Sequence, residues 1–246
     1  MKAPKTKVSS VLAVVALLWL YSASAFGAGG NWNVDANGNW SVAGNWNPAA
    51  VPGTAPGDVI GLIYPVTAAR TVTLDVPATV GLLNIGSPTS PYFGYTLSTG
   101  SGQAVTLNNN GSGAQIVQAT AGGAADTISV ALALADNLTV TNVNGLTLSG
   151  IISNSPSLSS VTLVKNGAGT LTLSGANTFV ASSLTVNAGN FYFLNSGANA
   201  GTSGAFGNIS GGGMNIYVNS GATLSSAKNN WFGNQTVVDS SLPTLN

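Results

Sequence analysis

Six aspartates, five lysines and one arginine are the entire ionic complement of this chain, which has no His, no Cys and no Glu. Catalysis by a Ser–His or Cys–His pair is therefore excluded in its usual form. No G-x-S-x-G, G-x-G-x-x-G or Walker A pattern occurs either. Glycoside hydrolysis would need two carboxylates held about 5–9.5 Å apart. Asp35, Asp58, Asp75, Asp126, Asp136 and Asp239 are far apart in sequence. Asp126 and Asp136 are the pair that neighbouring strands could bring together, but each reads better as a turn residue bonding nearby backbone. A lyase would want Arg or Lys beside clustered Asp; Arg70 with Asp75 is the nearest approach, and it reads as a surface ion pair. The stretch "DANGN", Asp35 to Asn39, imitates the start of a calcium loop. Trp40 and Trp46 stand where that loop requires Gly and Glu, so the loop fails. The chain is accordingly expected to have no catalytic residue, no cofactor and no metal.

One constellation remains. Trp32, Trp40 and Trp46 lie among Asn and Gly in "GGNWNVDANGNWSVAGNWNPAAVPGTAPG", residues 29–57, which exits through Pro48, Pro52 and Pro56. This mixture suits turns and short extended pieces, not a helix or a long strand. Three flat indoles could form a platform for a pyranose ring. The stronger alternative is a cover over an open end of the fold, because each indole needs apolar neighbours and an acceptor for its N–H.

The elements that must position these residues are strands. Thr, Val, Leu, Asn, Ser and Gly dominate the chain, which is strand-and-turn chemistry. Short pieces such as "TVTL" (71–74), "LLNI" (82–85), "AVTL" (104–107), "ISVALAL" (128–134), "VTLV" (161–164) and "NIYV" (215–218) recur between Gly, Asn and Ser clusters. Their spacing is that of all-β architecture. "LTLSG" occurs at Leu146–Gly150 and again at Leu171–Gly175, an offset of 25 residues. Repeats of this period point to stacked coils, whereas a β-sandwich or up-and-down barrel would give the same strand spacing without the exact repeat. In such a stack Leu146 and Leu148 would lie over Leu171 and Leu173 inside, while Thr147 and Thr172 form an outward ladder. Gly150 and Gly175 would turn the corner where a side chain meets the neighbouring coil. The expected fold is all-β, a right-handed parallel β-helix (β-solenoid) preceded by a Trp-rich N-terminal cap.

Residues 1–25 read as a signal peptide: Lys2, Lys5 and Lys7, then the apolar "VLAVVALLWL", then small residues with Ala23-x-Ala25 as the cleavage site. The rest divides into a cap segment, 26–56, and a solenoid, 57–246. Without residues 1–25 the chain keeps three basic and six acidic side chains, a net charge of −3. Three scattered cations cannot neutralise a run of phosphates, so nucleic acid is excluded as a partner. No later apolar run has the length to span a bilayer.

"KNGAGTLTLSGANTF" followed by "SSLTVNAGNFYF", Lys165 to Phe193, resembles the autotransporter-associated β-strand repeat. Lys165, Gly167, Gly169 to Gly175, Asn177 to Phe179 and Thr185 to Gly189 match its pattern, while "VASS" replaces the usual glycine pair in the turn. Residues 30–86 resemble the N-terminal segment that precedes such repeats in large secreted bacterial proteins. The resemblance implies a β-helical passenger that is secreted or displayed at the bacterial cell surface, structural or adhesive, and not an enzyme. The partners it implies are extracellular glycans or other surface proteins. The transmembrane barrel that would end an autotransporter is not seen in "SSLPTLN", so the solenoid is expected to be incomplete at its C-terminus, with membrane contact only through a further C-terminal region.

Overall fold

The computed structural model describes residues 29–118, 123–194 and 214–226 and the backbone of 236–239. The proposed signal peptide, residues 1–25, lies outside them. The strands form three sheets, two of which run the length of the described chain. The first takes Gly30–Trp32, Val59–Leu62, Leu82–Ile85, Ala114–Gln118, Leu138–Asn142, Val161–Asn166, Ala181–Val186, Asn215–Val218 and Thr236–Asp239 in turn. The second takes Gly38–Asn39, Arg70–Leu74, Tyr95–Thr99, Asp126–Ile128, Leu146–Leu148, Thr170–Leu173, Asn190–Phe193 and Thr223–Ser226. The third holds Ala78–Val80, Ala104–Leu107, Ala131–Leu134 and Ile152–Asn154. The chain visits the sheets in rotation, and each strand pairs in parallel with its equivalent in the next coil. This is a parallel β-helix.

The "LTLSG" repeats occupy equivalent places: Leu146, Thr147 and Leu148 pair with Leu171, Thr172 and Leu173. Successive side chains on a strand point to opposite faces. All four leucines are therefore buried and both threonines face outward, half-buried by their neighbours. Fully burying one such leucine contributes about 1.5–3 kcal/mol. Coil length is not constant; along the first sheet it is 21 residues between Lys165 and its partner Val186 but 33 between Leu83 and Ile116.

Corners explain the glycines. A Cβ on Gly150 would be driven into the carbonyl oxygen of Val130, and one on Gly175 into that of Gly150. The same corner corrects the reading of "ISVALAL" as one strand. The chain turns at Ser129–Val130, so Asp126–Ile128 joins the second sheet and Ala131–Leu134 the third. A run of buried apolar residues looks continuous in sequence even where it rounds a bend.

The third sheet stops at Ile152–Asn154. Residues 177–180 then pass over its edge, where the Thr178 and Phe179 amides donate to Ile152 O and side-chain amides add to the pairing. The Asn177 carbonyl oxygen accepts from Ile152 N at 2.8 Å, and that of Asn154 accepts from Val180 N at 3.0 Å. Among the described residues the following coils contribute strands to two sheets, and Phe179, Phe191 and Phe193 are buried in their interior.

Candidate functional site

The cap segment is continuous with the coils. Gly30–Trp32 pairs in parallel with Val59–Leu62, and Gly38–Asn39 with Arg70–Leu74, while Trp46–Asn47 folds back antiparallel on Gly30–Trp32. That last pairing covers the first sheet's outermost edge, a place where unpaired backbone would invite another chain. Behind it the structure brings Trp32, Trp40 and Trp46 together. The ring centroids of Trp32 and Trp46 are 5.2 Å apart at 89°, and those of Trp40 and Trp46 are 4.7 Å apart at 63°. Both are edge-on contacts of the kind favoured by the ring quadrupole. Trp40 Nε1 donates to Pro52 O at 2.9 Å and Trp46 Nε1 to Trp40 O at 2.7 Å. Trp32 Nε1 is buried without an acceptor. None of the three indoles exceeds 1% exposure, so none offers an open face on which a sugar ring could stack. Gly53, at φ +83°, leaves room for this packing; a Cβ there would meet Ala78 Cβ at 3.0 Å and the Trp40 ring at 3.4 Å.

Aspartates tie the cap to the coils. Asp58 Oδ2 accepts from the amides of Gly53 and Thr54, both at 2.8 Å, beside the bridge from Thr54 to Thr79 that covers the third sheet's edge. Asp75 accepts from the Ser41 amide at 2.9 Å and hydroxyl at 2.6 Å. Arg70 pairs with Asp35 and not with Asp75, through a 2.7 Å ion pair and a 2.8 Å bond from Nε. Arg70 and Asp75 lie at opposite ends of one strand, whereas the turn carrying Asp35 sits beside Arg70. Asp35 also accepts from Thr67 Oγ1 at 2.7 Å. The first residue of the failed calcium loop is thus engaged by protein donors.

Asp126 and Asp136 hold different corners. Asp126 lies between the first and second sheets, buried, accepting from Tyr95 N at 2.7 Å and Gln118 Nε2 at 2.9 Å. Burial pushes its carboxyl above the usual range. Asp136 follows the third sheet and accepts from Asn109 N at 2.6 Å and Gly111 N at 3.0 Å. They form no acid pair. Among the described residues no group of three metal-ligating side chains converges, and no helix is long and apolar enough to cross a membrane.

One expected feature runs further than the repeat alone indicated, and one was missed by residue type. Thr71, Thr96, Thr127, Thr147 and Thr172 form one outward column on the second sheet. Beside it stand Thr73, Ser98, Ser129, Ser149 and Ser174, completing a doubled hydroxyl face without a charge. The signal was the recurrent T-x-S or T-x-T spacing. The other feature is Lys165, whose side chain has no exposed area. Nζ donates to the carbonyls of Asn166 at 2.8 Å, Gly167 at 2.7 Å and Ala188 at 3.1 Å. Burial pushes its ammonium down to about 8. The alternation of Val161, Leu163 and Lys165 on one face was the clue to its inward place.

Residues 163–190 match the family model of the passenger-associated-transport-repeat. The matched stretch comprises most of Val161–Asn166, all of Thr170–Leu173 and Ala181–Val186, and the corners between them. No curated protein and no solved structure matches the chain.

Proposed function

We propose that this chain, which carries a passenger-associated-transport repeat within a β-solenoid, is a non-enzymatic exported passenger, a rod of stacked coils serving as structure or adhesive at or beyond the bacterial surface. The observation that carries this reading is the position of the matched repeat. Residues 163–190 are an integral part of the stack, paired on both sides with coils of the same design. Two further observations support it. Asp35, Asp58, Asp75, Asp126 and Asp136 each accept bonds that hold turns and coils together. The order of basic, apolar and small residues in 1–25 suits export. On this reading the partners are extracellular glycans or other surface proteins, met by the uncharged outer faces.

Export is the testable core. A reporter enzyme that becomes active only outside the cytoplasm, joined after Leu194, should be active when residues 1–25 are present and silent when they are deleted. A reporter silent in both forms, or active in both, would remove the passenger reading.

A further inference from the structure

The inner column of the first sheet runs Ile116, Val140, Lys165, Val186 and Val218, so a single lysine stands in a stack of branched aliphatics. An ammonium has three donors and no acceptor, and burying one is costly unless each proton is received. All three are. Asn166 O and Gly167 O belong to the lysine's own corner, while Ala188 O belongs to the corner of the next coil. Glycines make the two corners close enough. Gly167 and Gly189 have φ of +79° and +69°, and a Cβ on Gly189 would come within 2.6 Å of Gly167 O.

The place of this cradle in the fold matters as much as its geometry. Among the described residues the third sheet ends at Asn154, where residues 177–180 of the coil that carries Lys165 take the place of a further strand. On the first sheet the coil after Lys165 is also shorter than the one before it, 21 residues from Lys165 to Val186 against 25 from Val140 to Lys165. Regular ladder pairing on the third face gives way to these bonds in the coil that carries Lys165, and one side-chain cation ties that coil to the next.

We infer that Lys165 is a latch that docks residues 181–193 onto the coil that carries it. Residues 181–193 stay packed as a cooperative unit because the ammonium links Gly167 to Ala188. The competing expectation has the opposite sign, since replacing a buried charge with an apolar side chain of similar length is often neutral or stabilising.

Lys165→Met in the full chain separates the two, with amide hydrogen exchange read segment by segment at pH 7. The latch predicts that protection in 181–193 falls by about tenfold or more, the equivalent of one lost charge-assisted bond, while residues 82–148 keep theirs. Unchanged or greater protection in 181–193, or a loss spread evenly along the chain, overturns it. If Lys165→Met does not fold, Lys165→Arg decides. A folded arginine variant with protected 181–193 supports the latch. An arginine variant that also fails shows that the fit of the side chain, not its cation, governs, and overturns it.

Discussion

Replacing Trp40 with Ala should unfasten the N-terminal end of the solenoid. The change removes a fully buried indole, its 2.9 Å bond to Pro52 O and its edge contact with Trp46 at 4.7 Å. Truncating a buried aromatic of this size costs about 3–5 kcal/mol, and the orphaned Pro52 carbonyl places the loss toward the upper end. Trp40→Phe keeps an aromatic ring and loses the donor, so it should cost about 1–3 kcal/mol. In a stack where each coil touches only its neighbours, the damage stays local. Gly30–Trp32 and Val59–Leu62 should exchange their amides faster while Leu146–Leu148 and Thr170–Leu173 hold. With a urea slope of about 1–3 kcal/mol per molar, the first unfolding step followed by circular dichroism should move down by about 1 M or more. An unchanged midpoint would refute the cap. So would indoles that a soluble quencher reaches freely until a polysaccharide is added, which would make the three tryptophans a sugar platform instead.

Gly175→Ala drives a Cβ into the Gly150 carbonyl, which is backbone and cannot swing aside. The expected cost is about 1–3 kcal/mol, whereas Gly44→Ala, which meets nothing within 4 Å, should melt like the parent; equal melting of both variants refutes the stacked corner. The Thr67 hydroxyl, with the Thr67 amide and Arg70 behind it, holds the Asp35 carboxyl below its ordinary 3.8. Because the folded value is the lower one, the stabilisation is present above 3.8 and is lost as pH falls through the folded value. Asp35→Asn should therefore lose part of the parent's acid sensitivity, and urea midpoints measured from pH 6 down to pH 2 will show whether the two curves converge. Purified protein incubated with polysaccharides should release neither reducing ends nor unsaturated products. An activity that survives repurification and disappears in Asp126→Asn or Asp136→Asn would contradict the structural reading.

Leu146 and Leu171 were legible in advance because a solenoid writes its geometry twice: a residue fixed by packing in one coil is fixed again in the next. The Thr ladder and the Gly150–Gly175 corner followed from the same offset. Sequence was weaker wherever the repeat changed. Nothing local marks Ile152–Asn154 as the last described strand of the third sheet, since the Asn177 amide that covers its edge comes 25 residues later. "ISVALAL" concealed a corner because hydrophobic alternation persists through a buried turn. Arg70 was paired with Asp75 by proximity along the chain, whereas the fold brings Asp35 to it from the preceding turn of the solenoid. Lys165 was read as part of a motif; that its ammonium would be swallowed by three carbonyls depends on the φ of Gly167 and the position of Ala188, which composition does not encode.

The unequal coils have a mechanical consequence. Hydrogen bonds between parallel coils lie along the solenoid axis, so tension applied to the two ends opens them rung by rung, as a zipper does, instead of shearing a whole sheet at once. Each coil adds about 4.8 Å to the folded rod, but a released coil of about 25 residues yields up to about 80–90 Å of extended chain. Under load the molecule would lengthen in discrete steps at low force, acting as an extensible tether and not as a stiff strut. The steps would differ in size, shorter for the 21-residue coil that follows Lys165 and longer for the 33-residue coil between Leu83 and Ile116, so that a force–extension trace would spell out the order in which the coils come undone.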